Sequence, residues 1–430
     1  MEQRLKKLLL FIIASVLLIP LIQFRFHCIT ERKLGGYSMH QGELQPQLSD
    51  TSWLDGSFQT DFEVWYKYNF GFRNTFVRFN NQINYTVFDT CIASDMVVGK
   101  NGFLFYRNYL TAYCGQDYSG DEYISLNAAK IKELQDTLHK HDITLIVALA
   151  PGPASFFPEF VPDDYSLKSG VTTYSRLTSI LKNSGVDFID FNKWFSIMKG
   201  SSSYPLYTLS GTHWSCFGAA LAADSLVKYV EAKRAIQLPT LEKSGLEISQ
   251  SLRLPDNDIY AVANLWQDYI PQTVAYPKWQ YVASGSEPPL NLLAVGDSYF
   301  DVILYNTDLR YKCFKSIDFW SYNSVVFNAN GDLVNQACDL SAGDEIQKHQ
   351  VVLLIATEAN YGAMYWDFVN EAHQYFCLGN KSMPDPQLKS KRVGIIRDQK
   401  WFTLLRINAQ NENISVDSTL NRTARALLNQ

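Results

Sequence analysis

The residues Gly296-Asp297-Ser298-Tyr299 follow directly on the apolar run Asn291-Leu292-Leu293-Ala294-Val295. A serine hydroxyl is thereby presented at the turn where a buried strand ends, a common position for a nucleophile. Upstream, Gly211-Thr212-His213-Trp214-Ser215 supplies an imidazole. A serine hydroxyl attacks well only when a neighbouring base takes its proton, so the pair points to acyl transfer, with Ser298 as nucleophile and His213 as general base. Each has a plainer reading alone. Gly-Asp-Ser is also good turn chemistry, and a histidine beside a tryptophan often fills a corner of a core. The pair gains weight because both members stand at the edge of an apolar segment and ahead of a helical one.

The elements that must position them alternate along the chain. Ser125 is a candidate N-cap for a helix in which Ile131, Leu134 and Leu138 recur at helical spacing, and residues 143–149 form a buried strand. Tyr174, Leu177 and Leu181 outline a second helix, stopped by Gly185 ahead of a strand over 186–191. A helix over 216–232 and strands over 291–295 and 351–357 continue the cycle. This alternation predicts an α/β fold with a mainly parallel sheet covered on both faces. Working groups in such sheets collect at the carboxyl ends of strands, where Ser298, Thr357 and Glu358 fall. Residues 237–289 break the rhythm with Pro255-Asp256-Asn257-Asp258 and an aromatic stretch from Trp266 to Trp279. They read as a surface excursion of the kind that shapes access to a site.

The first residues set the compartment. Arg4, Lys6 and Lys7 precede an apolar run over 8–24, roughly 17 residues and just long enough at about 1.5 Å each to cross a bilayer. No Ala-x-Ala-like site follows, so an uncleaved anchor is expected, with a cleaved signal peptide as the alternative. The expected organisation is a cytoplasmic tip and anchor over 1–29, a polar stalk over 30–52, an α/β domain over 53–388, and a tail over 389–430 of one or two amphipathic helices that carry no chemistry. The main domain is then outside the cytoplasm.

Composition narrows the rest. With 430 residues, 47% hydrophobic and 14% aromatic, the chain can bury a large core. A formal charge of -5 and the lack of any Lys/Arg block give no sign of nucleic-acid binding. The seven cysteines show no regular spacing; Cys91 and Cys114 are candidates for a disulfide, Cys216 and Cys313 for buried thiols. His139 and His141 lack a facing ligand set, so no metal or other cofactor is expected.

Four blocks in order carry a resemblance: Gly99-x-x-Gly102-Phe103-Leu104-Phe105, the proline-bearing Ala150-Pro151-Gly152-Pro153-Ala154-Ser155-Phe156-Phe157-Pro158, Thr212-His213-Trp214-Ser215, and Gly296-Asp297-Ser298-Tyr299. Over residues 53–372 the chain resembles the SGNH-hydrolase-like domains of the alginate O-acetyltransferases and the related DHHW-type proteins of bacterial envelopes. The resemblance implies a three-layer α/β/α domain that moves acetyl groups to hydroxyls of an exported polysaccharide, anchored by its N-terminal helix. It also implies an acetyl donor delivered by an integral-membrane acyltransferase. Ser298 would form the acyl-enzyme and His213 would activate first the serine and then the acceptor hydroxyl.

One departure stands out. The family places Asp two residues before the histidine, and this chain has Gly211 there. Such a carboxylate holds the imidazole in the right tautomer, and in a serine protease its conversion to Asn costs about 10⁴ in kcat. Three repairs are open: a carboxylate from elsewhere, with Glu358 and Asp190 as candidates at strand ends; a backbone carbonyl orienting a slower dyad; or a polysaccharide-binding component without turnover. Asp297 points away from its neighbour's hydroxyl and is set aside. For the oxyanion, the Ser298 amide is the first donor and Asn323 or Asn360 the second. Trp214, Trp320 and Tyr322 are candidates for stacking on sugar faces. Beside the transferase, a carbohydrate O-acetyl esterase remains open, because water can resolve the same intermediate.

Overall fold

The structure is a computed structural model and describes residues 2–36, 45–93, 95–166, 170–267, 269–282, 290–307, 309–328 and 330–429. The chain divides into two compact units, 1–98 with 259–270, and 99–258 with 271–430.

The larger unit is built on a seven-stranded sheet. From edge to edge its strands are Leu333–Gln336, Val325–Phe327, Ser316–Ser321, Asn291–Gly296, Val351–Thr357, Thr144–Ala150 and Phe188–Asp190. The last five run parallel, and Val325–Phe327 pairs antiparallel with both Ser316–Ser321 and Leu333–Gln336. Val351–Thr357 is buried at every position, as a central strand covered on both faces must be. Its Val352, Leu354 and Ala356 join Leu145, Val147 and Leu149 in the core beneath the helices Asp121–His139, Thr173–Ser184 and Phe368–Phe376. The helices Cys216–Arg234 and Ser298–Asn306 pack on each other elsewhere in the unit. Ser125 lies inside its helix rather than at its start, which is Asp121 after Gly120. Gly185 ends its helix at φ 70°, where a side chain would be strained.

The excursion at 237–289 is mainly two long antiparallel strands, Thr240–Ser249 and Val274–Val282; residues 283–289 lie outside the described set. The tail forms three helices, Pro386–Arg397, Gln399–Glu412 and Val416–Leu428. It is tied into the unit by ion pairs from Lys389 to Glu371 and from Arg392 to Asp367, both 2.7 Å. All seven cysteines, Cys91 and Cys114 among them, are free thiols; Cys216 and Cys313 are buried.

The smaller unit holds the helix Glu2–Phe26, whose segment Gln3–Phe26 is long and apolar enough to cross a membrane. The connection after it is tied down, with Glu31 accepting the Thr75 amide and hydroxyl, both at 2.8 Å, and the Gly35 amide bonded to Asn264 at 2.7 Å. The expected stalk is therefore not free there, and its residues 37–44 lie outside the described set. Gly71 passes the first helix so closely that a methyl group on it would stand 2.1 Å from the Pro20 carbonyl oxygen. The helix Arg73–Phe88 turns Asn74, Arg78 and Asn81 inward, where Arg78 donates to the Lys33 and Leu265 carbonyls and Asn81 to that of Ala263.

Buried carboxyls give the larger unit a pH signature. Burial pushes Asp117 and Asp301 up to about 6 and Asp256 and Glu358 up to about 7, from ordinary values of 3.8 and 4.5. Between pH 4 and 7 these groups hold more protons folded than unfolded, so their contribution to stability falls as pH rises through that window. Thermal unfolding is expected at a higher temperature at pH 5 than at pH 7.5, and Glu358→Gln is expected to narrow that gap.

Candidate active site

The strand Asn291–Gly296 delivers the serine. At its end Gly296 lies against the neighbouring strand, where a methyl group would come within 2.6 Å of the Ile355 side chain and carbonyl oxygen. The next residue, Asp297, is 1% exposed and its carboxylate accepts from the Thr357 amide at 2.8 Å, the Thr357 hydroxyl at 2.9 Å and the Asn360 amide at 2.9 Å. It also caps the following helix through the Tyr299 amide at 3.2 Å. Burial raises the Asp297 carboxyl while these bonds lower it, and the net is upward. The turn is thus pinned to the adjacent strand end. Ser298, the first residue of its helix, is left half-buried beside the imidazole.

His213 Nε2 stands 2.8 Å from Ser298 Oγ. Its Nδ1 meets Oδ2 of Asp258, whose Oδ1 accepts from the Thr212 amide at 2.6 Å. The histidine is held from both sides by the residue after the serine. Tyr299 donates its hydroxyl to the Thr212 carbonyl at 2.6 Å, and Trp214 Nε1 donates to the Tyr299 carbonyl at 3.2 Å. Burial pushes the His213 imidazole down. The charge and hydrogen bond of Asp258, aided by Asp297 and Asp301, outweigh it and hold the imidazole above its ordinary 6.5.

Asp258 comes from the excursion, 45 residues beyond the histidine. Its loop is fixed by the Asp256 carboxylate, which accepts the Cys216 amide at 3.0 Å, and by the Thr208 hydroxyl, which donates to the Asp256 carbonyl. That loop also explains Gly211. A methyl group there would sit 2.8 Å from Thr208 Oγ1 and 3.2 and 3.3 Å from the carbonyl oxygens of Asp256 and Pro255. The space a side chain at 211 would need is filled by the segment that carries Asp258. Restoring the family pattern with Gly211→Asp is therefore expected to cost about 1–3 kcal/mol of stability through overpacking, read as a lower urea midpoint at unchanged slope.

The Tyr322 hydroxyl lies 3.3 Å from Ser298 Oγ and accepts from the Ser298 amide at 3.3 Å. Burial, then Asp297, raises its pKa, so it stays protonated at neutral pH and can donate. Arg397, from the tail, lies 5.3 Å from the Tyr322 ring centre and donates to Ser324 at 2.9 Å.

The remaining candidates stand elsewhere. Glu358 accepts from Ser155 at 2.8 Å, Asn192 at 2.5 Å and the Gly152 amide at 3.3 Å. Asp190 caps the helix Phe191–Met198 and receives the Tyr174 hydroxyl at 3.0 Å. The imidazole's second partner is Asp258 instead of either. Asn323 is buried and donates to the Trp366 carbonyl at 2.7 Å, and Asn360 donates to the Asp297 carboxylate at 2.9 Å, so the partner of each is a structural one and not Ser298. Trp214 and Trp320 are 0% and 1% exposed and offer no face to a sugar. Of the three aromatic candidates only Tyr322 touches the serine. Asp258 and the hydroxyl role open to Tyr322 were missed. The one signal for Asp258 was the carboxylate-bearing run 255–258 that interrupts the strand-helix rhythm.

A serine, histidine and carboxylate in line at the carboxyl ends of a mainly parallel, helix-covered sheet define an SGNH-hydrolase-like class of protein. Residues 96–299, just under half of the chain, match the family described as "SGNH hydrolase-like domain, acetyltransferase AlgX". The matched segment carries both His213 and Ser298, and the expected SGNH-hydrolase-like α/β fold with an apolar N-terminal helix stands. A Pseudomonas aeruginosa protein named "Probable alginate O-acetylase AlgJ" is 23% identical over 207 residues, 48% of this chain and 51% of its own length. Its namesake from Azotobacter vinelandii is 22% identical over 184 residues, 42% of this chain and 45% of its own length. The chain thus spans about half the length of the curated relatives it matches. Among solved structures, the O-acetyltransferase domain of Pseudomonas putida AlgJ aligns at a TM-score of 0.40 and 16% identity, covering 62% of this chain and 92% of that domain. Bacillus cereus PatB1 with a sulfonyl adduct aligns at 0.42 and 10%, covering 64% and 99%.

Proposed function

We propose that this protein transfers acetyl groups to hydroxyls of an exported or envelope polysaccharide through an acetyl-Ser298 intermediate. The observation that carries the reading is the 2.8 Å contact from His213 Nε2 to Ser298 Oγ with Asp258 on the far ring nitrogen. Ser298 Oγ attacks the acetyl carbonyl while its proton passes to Nε2; the bond from carbonyl carbon to leaving group breaks, and the leaving group takes that proton. The acceptor hydroxyl then attacks the acetyl carbon and gives its proton to Nε2, and the proton returns to Oγ as the ester bond breaks. Asp258 fixes the tautomer and offsets the imidazolium charge in both halves. The Ser298 amide and the Tyr322 hydroxyl, bonded in the resting site to Tyr322 Oη and Ser298 Oγ at 3.3 Å each, turn to the developing oxyanion as its donors. Removing one such donor costs on the order of 10²-fold in kcat, which Tyr322→Phe is expected to show with KM little changed.

The match to the AlgX acetyltransferase family and the alginate O-acetylase names of the relatives support a polysaccharide acceptor. In this reading Glu2–Phe26 anchors the chain, the main domain is extracytoplasmic, and an integral-membrane acyltransferase hands over the acetyl group. The test is to mix purified protein with p-nitrophenyl acetate. A burst of nitrophenol with acetyl on the peptide containing Ser298 is expected; no burst and no acetyl there, from folded protein, would leave only a binding component. Adding oligouronate should then divert the acetyl group from water to sugar. If acetate remains the sole product, the protein is an esterase.

A further inference from the structure

The helix Arg73–Phe88 is built the wrong way round for water. Its polar residues Asn74, Arg78 and Asn81 are buried, Arg78 and Asn81 with hydrogen bonds to main-chain carbonyls, while Phe76, Phe79, Ile83 and Val87 are exposed. At about 100° per residue these two sets face opposite sides of the helix. A helix on a soluble surface has the reverse polarity, and a contiguous exposed apolar stripe marks a surface that something covers.

What covers it follows from what the stripe adjoins. Ring contacts run without a break from the N-terminal helix to the stripe: Phe24 to Tyr66 at 6.3 Å between ring centres, Tyr66 to Phe70 at 6.0 Å, and Phe70 to Phe76 at 6.2 Å. The apolar residues of that first helix are themselves exposed from Leu5 to Ile22. Exposed Lys67 and half-buried Arg73 lie next to the ring series in the chain, and Arg73 donates to the Lys67 carbonyl at 3.0 Å, so two cationic residues adjoin the apolar stripe.

We propose that the face of Phe76, Phe79, Ile83 and Val87 lies in a phospholipid bilayer at the boundary between headgroups and acyl chains, continuous with the membrane-crossing helix. The helix is then a second, surface-lying attachment, with an apolar face in the acyl region and basic residues at the headgroups. This inference rests on the reading of Glu2–Phe26 as an anchor and is independent of the chemistry at Ser298.

The experiment places p-benzoyl-phenylalanine singly at Leu17, Phe79, Val87 or the exposed Lys182 in the full chain. Each protein is put into vesicles of phosphatidylethanolamine and phosphatidylglycerol, irradiated, and digested for peptide mass. The expected result is a mass gain of one phospholipid at positions 79 and 87 as well as 17, and none at 182. Lipid at 17 but not at 79 or 87 overturns the proposal while leaving the anchor intact. Crosslinks at 79 and 87 to a second copy of the chain, or lipid yields at 182 equal to those at 79, overturn it as well. Absence of lipid at 17 removes the anchor and the proposal together.

Discussion

Ser298→Ala is expected to abolish acetyl transfer, lowering kcat by roughly 10⁵–10⁶, the scale seen when a serine nucleophile is removed from a comparable site. The alanine fits where the serine stands, because the turn is held by Asp297 and not by the hydroxyl. Folding and unfolding midpoints should therefore stay close to wild type. Loss of activity together with loss of the acetylated peptide, in a protein that unfolds as before, separates a missing nucleophile from a damaged fold. Acetylation that persists in Ser298→Ala at undiminished rate would move the chemistry to another residue.

Asp258→Asn is expected to lower kcat by about 10⁴, because an amide that keeps its oxygen on the Thr212 N–H turns its NH2 toward Nδ1 and favours the wrong tautomer of His213. It should also move the pH profile. The working base is neutral imidazole, and Asp258 holds the His213 pKa above 6.5. Wild-type activity should therefore rise with pH through a value higher than an ordinary histidine. Without the carboxylate, burial acts unopposed by its largest counterweight, and the acid limb should shift to lower pH as the plateau falls. A merely structural role for Asp258 would lower the plateau without moving the limb. A limb that stays fixed in Asp258→Asn would therefore remove the carboxylate from the mechanism.

The sequence brings the serine and histidine forward because each carries a local signal, an apolar strand ending in a turn ahead of a helix. The carboxylate has none. Asp258 reaches the imidazole only because the Pro255–Asp258 loop folds back against Gly211, an approach set by Thr208, Cys216 and the course of the excursion. Aromatic residues misled in a related way. Residue type does not report depth, so Trp214 and Trp320 had the composition of sugar platforms and the burial of core. Dense aromatics after Trp53 resembled the start of the α/β domain. They belong to helices packed with the first helix, as the ring contacts from Phe24 to Trp65 and Tyr66 show. The helices around 131–138, 174–181 and 216–232 and the strands over 143–149, 291–295 and 351–357 were legible because a repeating apolar pattern buries them, whereas the edge strand Leu333–Gln336, exposed at every position, carries no such pattern.

Gly211 and Asp258 together separate inheritance from function in a way useful for engineering. In this chain the acid residue and the histidine sit on different segments, so the geometry behind the imidazole can be redrawn by varying 254–258 alone while the histidine segment is kept constant. A focused library at those five positions is the economical place to search for altered pH optimum, and screens confined to the neighbours of the histidine would sample the wrong stretch of gene.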